Sequence, residues 1–256
     1  MATVELVGKA TAVLRAVAAC EPSGASTTEV ARRTGLPRAT AHRLLHALAD
    51  EGFLDRAVDA RWTLGPEAYL LGVAAAPRHD VSARAQPVVR ELALATGESA
   101  FYSVRRGAET VCLIAEEGSF PLRSHVLHVG KRFPLGVASA GLIILALVPE
   151  PEAARHLEHA DLAAHHGPAH ATPALADRLA EARRVGYAVN PGLVVEGSWG
   201  LAAAVLDDRG RPVGALSLTG VESRFPASRV PELGALLMRA AHRLGTDAPP
   251  SGARAR

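Results

Sequence analysis

Residues 26–64, STTEVARRTGLPRATAHRLLHALADEGFLDRAVDARWTL, constrain the fold more than any other stretch, because they spell two short helices, a tight turn and a β-hairpin. Ser26 or Thr27 supplies a hydroxyl for a free backbone N–H at a helix start, and Gly35 tolerates the left-handed backbone of a helix end. Pro37 opens a second helix at no cost, since a first-turn N–H has no intrahelical partner, and Gly52 closes it after Asp50 and Glu51. Only Thr34-Gly35-Leu36 separates the two helices, the spacing expected when the second must cross the first. Phe53 and Leu54 begin a strand, residues 55–61 make a turn, and residues 62–64 return. The outline is a winged helix-turn-helix.

The 3.6-residue period sorts the second helix into two faces. Ala41, Leu44, Leu45 and Leu48 share one side, while Arg38, His42, Arg43 and His46 lean to the other. From Ser26 to His46 the charged residues are Arg32, Arg33, Arg38 and Arg43 against Glu29 alone. Guanidinium forks suit phosphate and the O6/N7 edge of guanine, and Thr40 near the helix start can donate to a phosphate. Arg56 and Arg61 flank the hairpin turn where a wing would meet the neighbouring groove. Arg38, Thr40, His42, Arg43, His46, Arg56 and Arg61 are therefore the candidate contacts to double-stranded DNA.

Charge is focused and not spread. The net charge is only +2, and residues 1–79 carry nine Lys+Arg against eight Asp+Glu. So small a footprint favours doubling by dimerisation on a two-half-site operator. At 256 residues the chain has room for two domains. Its two cysteines, Cys20 and Cys112, fall on expected core-facing positions behind no secretion signal, which points to a reducing cytoplasm. The apolar run 141–148 is too short to span a bilayer, so no membrane partner is expected.

Leu6, Ala10, Val13, Leu14 and Val17 recur at helical spacing ahead of the helix pair, giving a first helix to pack across it. After the wing, Pro66 opens a helix with Tyr69, Leu70, Leu71 and Val73, and Pro77 ends it. Its apolar stripe has little local core and is expected to meet a second subunit. A helix over 81–96 precedes strands over 99–104, 110–115 and 122–129. Helices follow over 138–147, 150–158 and 173–185, the last closed by Gly186. Strands over 201–206 and 213–219 flank the turn Asp207-Asp208-Arg209-Gly210. A helix over 227–244 ends the pattern, and the Pro/Gly/Ala/Arg tail is expected to be disordered. The fold class is α+β: residues 1–65 a winged helix-turn-helix domain, 66–79 a linker helix, 80–246 a domain with a mainly antiparallel sheet flanked by helices, and 247–256 a tail.

The segments TGLPRATAHRLLHALADEGFL (34–54), WTLG (62–65), FPLG with ASAG (133–141), RRVGYAVN (183–190) and GLAAAVLDDRGRPVGALSLTG (200–220), in this order, resemble the IclR family of transcriptional regulators. The resemblance runs over about residues 5–245. It implies a linker helix used in dimerisation, tetramers built from dimer pairs, and a GAF-like C-terminal domain that binds a small effector. It places Ser139 and Ala140 before a helix, facing Asn190, Gly200, Ser217 and Thr219. Ser217 and Thr219 are two apart on one strand, so both hydroxyls point to one face. Asn190 stands where relatives carry aspartate, Gly136 where histidine is common, and Gly192-Leu193 where an acidic pair is frequent. Less negative charge favours an organic acid as effector.

Two other classes compete. Gly136-Val-Ala-Ser139-Ala-Gly141 evokes a hydrolase, but a nucleophile elbow needs one residue between glycine and serine, and here there are two. No phosphate loop or dinucleotide fingerprint occurs, so neither enzyme activity nor a cofactor is expected. The alternative is a metal-responsive regulator, since His156, His159, His165, His166 and His170 crowd into fifteen residues, and His156 and His159 are three apart on an expected helix.

Overall fold

A computed structural model describes residues 2–75 and 81–246. The chain divides into two compact units, 1–80 and 81–256. The expected end of the linker helix at Pro77 and the expected tail over 247–256 lie outside the described residues.

In the first unit, α1 (Ala2–Ala18), α2 (Thr27–Thr34) and α3 (Arg38–Asp50) precede a hairpin of β1 (Leu54–Arg56) and β2 (Trp62–Leu64). The Ser26 hydroxyl accepts the Glu29 amide at 3.2 Å, and Gly35 ends α2 at φ 67°. Pro37 is the N-cap of α3, one residue earlier than its expected place in the first turn. The period read from the sequence holds for α3, whose Ala41, Leu44 and Leu45 are buried. Val13, Val17 and Val30 join them around Trp62. The indole Nε1 donates to Thr27 Oγ1 at 3.0 Å, and the Trp62 backbone exchanges two 2.8 Å bonds with Ala25, so one residue ties the wing to both ends of the preceding loop. Leu6 does not reach this core; it is 55% exposed, about two turns ahead of Val13, the first buried position of α1. Cys20, expected inside, is half-buried with Sγ 3.6 Å from the Glu29 carboxylate. Helix α4 (Pro66–Ala75) buries none of its residues, and Tyr69, Leu70, Leu71 and Val73 are all exposed.

The second unit is a sheet between helices. Its described strands are β3 (Ser99–Arg106), β4 (Glu109–Glu116), β5 (Arg132–Pro134), β6 (Ala188–Pro191), β7 (Ser198–Leu206) and β8 (Pro212–Val221), in the order β5-β4-β3-β8-β7-β6 with every ladder antiparallel. Alternation along the strands decides which helices lie on which face. Tyr102, Leu201, Ala203, Leu216 and Leu218 pack against α5 (Val81–Thr96) and α10 (Val230–Thr246). Ala188, Ala202 and Ala215 face the other way, against α6 (Ser139–Leu147) and α9 (Thr172–Val185). Alanines on this face let α6, itself buried from Ser139 to Ala146, lie close to the sheet. Between α6 and α9 run α7 (Glu150–His159) and the short α8 (Leu162–His166).

Three expectations need correction. Residues 122–129 form no strand: β5 occupies the edge of β4 through the pair Val111↔Arg132, so this segment has no ladder to join. Leu122 and Val129 are exposed, whereas Val126 and Leu127 turn inward. The strands β5 and β6, of three and four residues, were not foreseen. Helix α10 starts at Val230 and not at 227, because the 226–229 segment is taken up by a turn in which the Pro226 carbonyl accepts the Arg229 amide.

Candidate functional site

The outward face of α3 carries Arg38, His42 and Arg43 exposed, with Thr40 and His46 half-buried beside them. Among the described residues, no carboxylate lies within ion-pair distance of Arg38 or Arg43. Arg33 is different: it pairs with Glu29 at 3.2 Å and holds that carboxyl below its usual range. Arg56 lies over the Trp62 ring, 5.5 Å from its centroid, which positions its head beside the wing. Arg61 departs from the expectation of a DNA contact. Its guanidinium donates to the Ser23 carbonyl at 2.7 Å and the Gly24 carbonyl at 2.6 Å, with Glu29 3.6 Å away. It clamps the wing to the loop before α2 through its Nε and one terminal nitrogen.

The six residues expected at an effector site converge on one cavity in the second unit. Ser139, Ala140, Asn190, Gly200, Ser217 and Thr219 line it together, and about 40 Å³ of it is open to the centre of a water molecule. The strand register explains the convergence, because Gly200 stands opposite both Thr219 and Asn190 on neighbouring strands. Their roles differ. Asn190 is buried but fully employed: its Nδ2 donates to the Val137 carbonyl at 2.8 Å and its Oδ1 accepts the Leu193 amide at 3.0 Å. It holds two loops at the rim. Ser217 Oγ and Thr219 Oγ1 are buried with no hydrogen-bond partner, although their residues are only 1% and 9% exposed. Buried hydroxyls seldom stay unpaired unless something completes them.

Other lining residues escaped the sequence reading. Phe133 comes from β5, Ser103 and Thr110 from β3 and β4, and Val126, Leu127 and Val194 close the walls from loops. Strand register brings the first three together. Trp199, which could be read as either a ligand-stacking ring or a core indole, is half-buried and does both jobs' groundwork: it lines the cavity and packs against the α5/α10 core. Among the described residues no Asp, Glu, His, Lys or Arg lines the cavity. Ser139 therefore has no base beside it. At the N-cap of α6, Ala138 offers no side chain to the first-turn amides, which leaves the positive end of that helix directed at the cavity rim.

The histidine cluster over 156–170 is occupied with backbone. His156 Nε2 is 3.0 Å from the Leu135 carbonyl, His159 Nδ1 2.7 Å from that of Arg155, and His165 Nδ1 3.2 Å from that of Asp161. His170 is buried between the carbonyls of His166 and Val137, and burial lowers the pKa of His166. Among the described residues no three His, Cys, Asp or Glu side chains are placed to share an ion. Also among them, no helix is long and apolar enough to cross a membrane.

Comparison with known proteins agrees with this architecture. Residues 6–57 match the IclR helix-turn-helix domain, and residues 73–246 match the bacterial transcriptional regulator IclR C-terminal domain. The chain is 28% identical to the transcriptional repressor IclR of Escherichia coli over 220 residues, covering 84% of this chain and 79% of that protein. It is 30% identical to the transcriptional repressor AllR of Klebsiella pneumoniae over 238 residues, covering 88% and 84%. Among solved structures, an IclR-type regulator from Alicyclobacillus acidocaldarius superposes with a TM-score of 0.77 at 26% identity, covering 94% of this chain and 98% of that one. An IclR homologue from Microbacterium hydrocarbonoxydans, solved with 4-hydroxybenzoate, superposes with a TM-score of 0.76 at 24% identity over the same shares. Proteins of this kind are DNA-binding regulators of transcription and not enzymes. With both of its halves matched, the chain belongs to the IclR family of bacterial transcriptional regulators.

Proposed function

We propose that this regulator binds an inexact palindromic operator as a dimer or tetramer and changes its hold on DNA when a small organic acid fills the cavity. Residues 1–65 act as the DNA-binding domain, 66–79 as the linker helix and 80–246 as the effector domain. The observation that carries the effector reading is the pair of unpartnered hydroxyls, Ser217 Oγ and Thr219 Oγ1, in a cavity without charged side chains. A carboxylate suits the amide end of α6, and the two hydroxyls can donate to oxygens of the same ligand. The walls from Phe133, Trp199, Val126 and Leu127 fit an apolar body of modest size, as in the relative that holds an aromatic acid. The exposed stripe Tyr69, Leu70, Leu71 and Val73 on α4 supports pairing of two subunits. A chromosomal operator as partner implies the cytoplasm.

Affinities for operator and effector are then reciprocally coupled. A thermal-shift screen of small monocarboxylic acids on the whole chain tests the reading. A stabilising acid should also change operator retention in a gel shift, and both responses should be blunted in the double variant Ser217→Ala, Thr219→Val. An unchanged response in that variant moves the effector elsewhere.

A further inference from the structure

His42 and His46 lie one helical turn apart on the outward face of α3, and their Nε2 atoms are 3.2 Å from each other. The ring centroids are 4.4 Å apart, so the two rings lean their nitrogen ends together. Two imidazole nitrogens bound at about 2.0 Å to a tetrahedral ion stand about 3.3 Å apart. The pair already holds that bite. His46 is also braced, since its ring meets the Trp62 indole edge-on at 5.0 Å, and Trp62 is itself fixed by Thr27. A ligand whose ring is held in place loses less freedom on binding an ion.

We propose that His42 and His46 form a two-imidazole site for a borderline divalent transition ion such as Zn²⁺ or Ni²⁺, with water completing its coordination. Imidazole suits these ions, whereas calcium and magnesium prefer oxygen ligands. At present one Nε2 donates a hydrogen to the other. Binding replaces that bond with two nitrogen–metal bonds: the donating ring gives its Nε2 proton to water and takes one up on Nδ1, a change of neutral tautomer that frees the Nε2 lone pair for the ion. Arg43 next in sequence and Arg56 over Trp62 add positive charge nearby, which keeps the site exchangeable. If the same imidazole edges meet DNA, ion and operator compete; this consequence, unlike the site itself, rests on the proposed function.

The test uses the untagged full chain without DNA. Trp62 and Trp199 are its only tryptophans, so Trp199→Phe leaves Trp62 as the reporter. Titration with NiCl₂ in a non-coordinating buffer should quench Trp62 fluorescence saturably and reversibly with EDTA. His42→Ala and His46→Gln should each weaken the apparent affinity by at least about tenfold. The pair His156→Ala, His159→Ala should leave it unchanged. His42 is exposed, so its variant is expected to fold, and a circular dichroism melt verifies this. Equal quenching in His42→Ala, or none up to about 1 mM ion, overturns the site. Quenching that depends on His42 with operator affinity untouched by the ion upholds the site and removes these histidines from the DNA contact.

Discussion

Helix α3 and the sheet cavity both present polar groups that have no partner within the protein, yet the two cases differ in physics. Arg38 and Arg43 are unpaired in water, which solvates them at no cost to folding. Ser217 and Thr219 have no protein partner under cover, where a hydroxyl left without any partner would cost about 1–3 kcal/mol. On the proposed function, the first arrangement would give a surface whose affinity is electrostatic and sensitive to salt. The second would offer two donors to a fitting ligand and so select by hydrogen bonding and not by charge.

Substitutions can break this contrast. The largest effect is expected for Arg43→Ala, which should weaken operator binding by well over tenfold, flatten its salt dependence and leave thermal stability and ligand affinity unchanged. Fluorescence anisotropy at several salt concentrations measures the first two. Arg61→Ala should behave in the opposite way. Its donors hold Ser23 and Gly24, so the loss falls on folding of the first unit, by about 1–2 kcal/mol in chemical denaturation, and DNA binding suffers only in proportion. A selective loss of operator affinity with unchanged stability would restore Arg61 to the DNA surface.

The cavity should respond in reverse again. Ser217→Ala removes an orphaned hydroxyl and is expected to raise the melting temperature of the ligand-free protein by about 2–4 °C for each kcal/mol regained, while lowering ligand-induced stabilisation. A drop in the ligand-free melting temperature would mean that the hydroxyl is already satisfied. A last effect appears only at alkaline pH. Burial pushes both Tyr102 and Cys112 up to about 12. In the unfolded chain such groups ionise near about 10 and about 8.5. Stability is therefore full below about pH 8.5 and falls as pH rises from there towards 12. Cys112→Ala should make that decline shallower, as melts across the range would show, while Cys20, also raised by burial, still contributes at its start.

Local chemistry made most helices legible. Ser26, Gly35, Gly97 and Gly186 act within one turn of themselves, so the ends of α2, α5 and α9 could be placed without knowing the fold. The Asp207-Gly210 turn did the same for β7 and β8. Strands β5 and β6 were not legible, because three or four residues show no period and exist only through their neighbours' edges. The false strand at 122–129 has the same origin: alternation was present but a partner was not. Ser139, Asn190, Ser217 and Thr219 were reached through the family resemblance; spacing alone showed only that Ser217 and Thr219 share a face. Spacing had no means of finding Phe133 or Val126, nor of seeing that Asn190 and Arg61 spend their hydrogen bonds on backbone. The crowded histidines misled in sequence for a related reason. Proximity along the chain dispersed them onto separate carbonyls, while the sparser pair on α3 converged.

Gly200 marks where this regulator could be retargeted. Its backbone has no need of glycine's conformational freedom, and a methyl group there would stand 3.2 Å from Ser139 Oγ and 3.6 Å from the Thr219 methyl. A single added carbon would thus shorten the chamber from its floor while the sheet beneath kept its ladder. If the cavity is the effector site proposed above, descendants of one ancestral gene could acquire different ligand preferences by trading hydrogen for methyl at this spot, with the scaffold inherited intact.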